Sequence, residues 1–244
     1  MKYRKDEILE MLISSYKFQA EFDSGVKSGM SLNYETTILE WMDICDLLMP
    51  TKLAKYFHKY FQLNRPLAEL ECLLKNFEKN TISDFCEYIS EHAERQKIVS
   101  ITLLRQKCET ASIFRRLKQN LSKQVAYATE LKPSSKVNDF FLKSDGVLFE
   151  EVNRIAPGTL SEFEYRANKL VLTGQTVILL SAFFAYVFWA IWFFHWLLIL
   201  PIAIGIALYQ IGMKKEPEKL SLGGFEDFRE LIYGMKEKLE KVST

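Results

Sequence analysis

Few side chains in this sequence carry chemistry of their own, and their spacing limits what they can do. Cys45, Cys72, Cys86 and Cys108 stand far apart, with no CxxC pair and no histidine at ligand spacing. That pattern argues against zinc or a redox couple and for reduced thiols packed as small hydrophobes on helices. His58 lies among Lys55 and Lys59, and His92 follows Glu91; both read as surface residues rather than general bases. Ser14-Ser15-Tyr16-Lys17 fits the Ser-x-x-Lys pattern of acyl-enzyme hydrolases, but the companion SDN and KTG elements are absent, so it reads as a helix surface. No GxxxxGK[ST], GxGxxG, GxSxG or HExxH occurs, which leaves phosphate cradling, the hydrolase elbow and the zinc-protease helix without support. The expectation is a chain with no catalytic, cofactor-binding or metal-binding residues, and not an enzyme.

The elements that hold these residues follow from charge and periodicity. The chain has 32 basic and 31 acidic side chains, so no global field draws it to nucleic acid, and charge has to be read locally. Its aromatic share of 14%, including 18 Phe, is concentrated in one stretch. Between Lys169 and Lys214 there is no Asp, Glu, Lys or Arg. As a single helix that stretch would reach about 66 Å at ~1.5 Å per residue, against a hydrocarbon core of ~30 Å. It therefore predicts two transmembrane spans, about 172–194 and 197–213, joined by a turn. Trp189, Trp192 and Trp196 bracket His195 at the turn, as indole rings do at a membrane–water interface. Ser181, Ala182 and Ala185 on the first span, and Ala203, Gly205 and Ala207 on the second, offer small-residue strips on which the two helices can approach. Arg166 and Lys169 before the hairpin, and Lys214 and Lys215 after it, face a tip without Lys or Arg, which places both termini in the cytoplasm.

The remainder reads as helical. Residues 6–22, 36–48, 51–61 and 81–95 carry apolar side chains at helical spacing between Gly, Pro and capping signals such as Thr81-Ile82-Ser83-Asp84. A longer helix is expected over 102–123, with Leu104, Cys108, Ala111, Phe114 and Leu117 inward. Its basic outer face suits either solvent or anionic lipid. Ser161-Glu162-Phe163-Glu164 reads as a capping box whose helix continues into the first span. After Pro217 and a Gly223-Gly224 hinge, Phe225, Phe228, Leu231, Ile232, Met235 and Leu239 form an apolar stripe; its mixed polar face favours docking on the helical domain over lying on the bilayer.

Two resemblances rest on particular residues. Asp46-Leu47-Leu48, the helix ending at Phe61, Pro66 and Thr81-Ile82-Ser83-Asp84-Phe85-Cys86-Glu87-Tyr88-Ile89 resemble the second half of an acyl carrier protein. Leu47 stands where that family has the serine that bears phosphopantetheine, so the resemblance implies a helical docking module without the prosthetic group. Nearly the whole chain also resembles a family of uncharacterised bacterial two-span membrane proteins, through Cys108-Glu109-Thr110-Ala111, Pro133-Ser134, Ala156-Pro157-Gly158-Thr159-Leu160 and Asp227-Phe228-Arg229-Glu230-Leu231. That resemblance implies no activity.

The sequence thus predicts an all-α protein: a helical bundle over 1–100, a long helix, turn segment and juxtamembrane helix over 101–168, a transmembrane hairpin over 169–214 and a C-terminal helix over 215–244. The expected location is the inner membrane, multi-pass, with lipid and a cytoplasmic protein as partners and no nucleic acid. The expected role is a membrane-anchored, non-catalytic adaptor or scaffold; the alternative is a homo-oligomeric two-span effector or channel gated by its cytoplasmic domain.

Overall fold

A computed structural model describes residues 2–23, 25–27, 29–47, 49–103, 106–144, 146–190, 199–213, 215 and 217–243. Among them are eleven α-helices and four short strands. The chain divides into two compact units, one of residues 1–163 with 221–244 and the other of residues 164–220.

The larger unit repeats one local pattern, a helix pair with a backbone bracket between two helix starts. In the first half, α1 (Lys5–Phe22) packs on α5 (Ile82–His92), with α2 (Ile38–Ile44), α3 (Pro50–Tyr60) and α4 (Leu67–Lys75) between them in sequence. The starts of α2 and α5 are bracketed by backbone bonds: Ile38 N donates to Asn80 O at 2.9 Å, Ile82 N to Thr36 O at 2.9 Å and Ser83 N to Tyr34 O at 3.1 Å. In the second half, α6 (Glu109–Ser122) packs on α11 (Phe228–Ser243), and α7 (Val137–Lys143) precedes α8 (Val147–Ile155). The same bracket recurs there, with Val137 N donating to Glu226 O at 3.2 Å, Phe228 N to Ser135 O at 3.1 Å and Arg229 N to Pro133 O at 2.8 Å. The core repeats with it. Ile82, Phe85, Cys86 and Ile89 are buried on α5, and Phe228, Leu231, Ile232 and Met235 are buried at the same spacing on α11. After α2 the chain turns through a left-handed Asp46 (φ 46°), and after α7 through a left-handed Gly146 (φ 81°).

The smaller unit is inserted in the second copy, between α8 and α11, where the first copy has α4. Strands β3 (Phe163–Arg166) and β4 (Lys219–Leu222) pair at its ends, and Glu218 N donates to Arg166 O at 2.9 Å. Gly223 and Gly224 turn the chain at φ 64° and 75°, a conformation that a Cβ would strain.

Three sequence-based expectations change here. The helix predicted over 102–123 begins only at Glu109, because Ile101–Leu103 (β1) and Gln106–Cys108 (β2) pair as an antiparallel hairpin. The β-branched Ile101 and Thr102 favour extended backbone, and Ser112 Oγ accepts from Ile101 N at 2.8 Å while donating to Cys108 O. The juxtamembrane helix expected from 161 is strand β3, with α9 (Lys169–Ala190) starting afresh after it; its partner β4 lies across the whole insertion and leaves no local signal. Residues 1–100, 101–163 and 221–244 form one unit rather than separate parts.

The two halves of the larger unit are tied by buried polar groups. Arg95 Nη1 donates to Glu7 Oε1 at 2.7 Å and its Nη2 to Ile155 O at 2.7 Å; the side chains of Arg95 and Glu7 are 8% and 2% exposed. Asn153 Nδ2 donates to Met11 O at 3.1 Å, and Tyr3 Oη to Arg154 O at 3.0 Å. Removing one partner of so enclosed an ion pair leaves an uncompensated buried charge, which typically costs about 3–5 kcal/mol. Arg95→Met alone is therefore expected to destabilise the larger unit by roughly that amount, and Glu7→Leu with Arg95→Met by much less. Thermal unfolding followed by circular dichroism on both variants checks this, and equal losses would contradict it.

Candidate functional site

Two places in the molecule present features that a folded core does not require: the helix pair of the smaller unit and a cavity in the larger one.

In the smaller unit α9 and α10 (Ile199–Met213) run antiparallel and pack closely on one another. The seam is set by glycines. A Cβ on Gly174 would lie 2.6 Å from Tyr209 N and 2.8 Å from Gly205 O, and one on Gly212 would lie 2.6 Å from Val171 N. A Cβ on Gly205 would meet Ile178 Cγ1 at 2.8 Å. Buried Ser181 follows Gly174, and Gly212 follows Gly205, at seven-residue spacing, the repeat that keeps a seam facing its partner along two helices. Ser181 Oγ donates to Val177 O at 2.6 Å, so its hydroxyl is satisfied within its own helix. Ala185 is half-buried, whereas Ala182, Ala203 and Ala207 are exposed. The second strip is therefore Gly205 with Gly212 rather than Gly205 with its alanine neighbours. Residues two apart on a helix point about 200° apart, so Ala203 and Ala207 cannot share the face of Gly205. Gly174 and Gly212 were readable as the other glycines of an otherwise apolar stretch, at helical repeats from Ser181 and Gly205.

Away from the seam the surface is apolar. Leu179, Phe183 and Phe184 are 70%, 61% and 50% exposed, and Leu200 and Ile211 are 61% and 50% exposed. Lys169–Val187 is long and apolar enough to cross a membrane, with a mean hydropathy of 1.9, while the apolar part of α10, Leu200–Gly212, is shorter. At the base, Glu218 carries both flanking cations, Arg166 at 3.5 Å and Lys169 at 3.6 Å. Lys215 is exposed. Trp192, His195, Trp196 and Lys214 lie outside the described residues, as does the side chain of Trp189.

The cavity, about 370 Å³, lies in the larger unit between α1, the α2–α3 turn and α8. Asp46 and Leu47, the pair that the carrier resemblance singles out, line it from one half, and Gly146 and Glu150 from the other. Tyr56 Oη donates to Glu150 Oε1 at 3.1 Å and Tyr60 Oη to Glu150 O at 3.2 Å. Burial pushes the Glu150 carboxyl above the ordinary carboxylate range, with Glu151 adding to the effect. It also raises the phenols of Tyr56 and Tyr60.

The thiols and histidines are placed as core and surface. Burial drives Cys45 and Cys86 up to about 12, which leaves no thiolate near neutral pH. Cys108 is lowered by the Thr110 hydroxyl, and Cys72 is exposed. His58 Nε2 pairs with Arg65 O at 2.7 Å, and Ser14 of the Ser-x-x-Lys pattern is buried while Lys17 points to solvent. Among the described residues no group of His, Cys, Asp and Glu is placed to hold a metal ion. The chain matches no protein-family model, no curated protein and no solved structure.

The seam makes its own prediction. Gly to Ala in a helix normally gains about 0.5–1 kcal/mol, but at Gly174 and Gly212 the new methyl would meet backbone and force the helices apart, at roughly 1–3 kcal/mol. Gly174→Ala and Gly212→Ala are thus expected to lower resistance to SDS unfolding in detergent, whereas Ala203→Leu and Ala207→Leu leave it unchanged. Loss of resistance in the alanine-site variants would misplace the seam.

Proposed function

We propose that the protein is a membrane-anchored, non-catalytic adaptor. In this reading α9 and α10 cross the inner membrane as a hairpin, both termini lie in the cytoplasm, and the larger helical unit is held there for a protein partner. The observation that carries it is the exposed apolar surface of α9. Leaving a Leu or Phe side chain in water forgoes about 1.5–3 kcal/mol each, and Leu179, Leu180, Phe183 and Phe184 are all at least half exposed. Lipid is the solvent that suits them. At 22 residues, α9 extends about 33 Å against a hydrocarbon thickness of ~30 Å. The shorter α10 needs α9 beside it, which accords with a seam so close that glycines line it.

Cys45, Cys86 and Ser14 are buried, so these three side chains are not presented to a substrate. The seam also bears on the alternative of an oligomeric channel. Gly174, Gly205 and Gly212 are occupied by contacts within one chain, so these glycines are not free to join copies, although Ala182, Ala203 and Ala207 face outward.

Two measurements test this. Reporters fused at both termini are expected to read cytoplasmic, and a tag at His195 to be reached only from outside; opposite locations for the termini would overturn the hairpin. Replacing residues 164–220 by a short Gly-Ser linker is expected to yield a soluble, helical monomer, because Gly223 N donates to Glu162 O at 2.8 Å and the cut ends are adjacent. A product that stays in the membrane fraction would mean that the hairpin is not the anchor.

A further inference from the structure

The cavity between the two halves has a chemistry that the adaptor reading does not use. Its walls are largely aromatic, with Trp41, Tyr56 and Phe57 among them. Trp41 and Phe57 lie 5.8 Å apart between ring centroids, and Phe57 and Tyr56 5.1 Å apart. Three carboxylates share the lining, half-buried Glu150 and the exposed Asp23 and Asp46, and among the described lining residues there is no Lys, Arg or His. The cations nearest Glu150 are otherwise placed: Arg154 is paired with Glu151, and Lys59 acts on Glu150 from outside the lining.

We infer that this cavity binds a small organic cation, an amine with an aromatic or apolar body of about ten to twenty heavy atoms, which fits the usual size range of ligand pockets. Aromatic faces attract an ammonium group through their quadrupoles while burying the apolar body. A carboxylate at the wall completes the site, because an ammonium beside the half-buried Glu150 pairs with its charge and favours the ionised form. Glu150 has one oxygen bonded to Tyr56 Oη, which holds the carboxylate in place in the cavity lining. A neutral ligand would use the same walls but gain nothing from the three acids, and a carboxylate ligand would be repelled by them. The cavity also receives residues from both halves of the unit, Asp46 from the first and Glu150 from the second, so an occupant bridges them.

The test is isothermal titration of the full-length chain in detergent with phenylbutylamine, phenylbutanol and phenylbutyrate. These share one body and differ in the charge of the head. The amine is expected to bind about tenfold or more tighter than the alcohol, and the carboxylate more weakly than either. Glu150→Gln is expected to remove most of the amine's advantage while leaving alcohol binding unchanged. Ser15→Phe, which fills the cavity from α1, is expected to abolish binding of all three. Should that variant fail to fold, competition between amine and alcohol for the wild-type site supplies the same control. Equal affinity of amine and alcohol, no binding of the amine, or an amine advantage that survives Glu150→Gln would each overturn the inference. None of these outcomes bears on the hairpin's topology, so the adaptor reading stands or falls separately.

Discussion

The enclosed contact of Arg95 with Glu7 is the interaction on which the larger unit depends. Arg95 lies just beyond α5, Glu7 on the first turn of α1, and the carbonyl of Ile155 at the end of α8. One guanidinium therefore satisfies a buried carboxylate in the first half and a helix-terminal carbonyl in the second. Its fork of donors makes this possible where a lysine would serve only as a point charge. Glu151 is the buried carboxylate of the second half, accepting from Asn120, Gln124 and Arg154 within that half. Buried charges of this kind fix which surfaces meet, since any other pairing would leave them without partners.

With the halves fixed, the repeated bracket explains how the chain tolerates so large an insertion. In each half the residue before one helix pairs with the residue before another, Thr37 with Thr81 and Lys136 with Asp227. The bracket needs only its own short segments, so the connection between can change. The first copy uses α4 there, and the second uses a strand pair and two apolar helices. Strands β3 and β4, together with the ion pairs of Glu218, bring entry and exit close together. An insertion with adjacent ends imposes little on the core that receives it.

The two functional readings use different parts of this design. The hairpin offers apolar surface outward and glycine contacts inward, which suits lipid on one side and a single partner helix on the other. The cavity lies where the halves meet, and its aromatic and acidic wall is drawn from both. A molecule that anchors through one unit and binds a small cation in the other would join a membrane location to an occupant-dependent contact between the halves.

The sequence by itself determined the helical character of the chain, the apolar stretch between Lys169 and Lys214, the start of α5 at Thr81 and the apolar stripe that α11 buries. These are local: a charge-free run, a capping box and a 3.6-residue period are properties of contiguous residues. Even the choice of Gly205 as a packing residue was legible, because glycine in an apolar helix has few other uses. Tertiary structure decided the rest. Strand β3 exists because β4 returns to pair with it from beyond the hairpin, and α6 starts only at Glu109 because the residues before it pair as β1 and β2, with Ser112 in the first turns of α6 accepting from Ile101 N. Gly174 and Gly212, rather than Ala203 and Ala207, form the seam because helix rotation is fixed only by the partner. The doubled bracket and the cavity depend on residues such as Asp46 and Glu150 that meet only when the halves close, and no local pattern records a meeting over that distance.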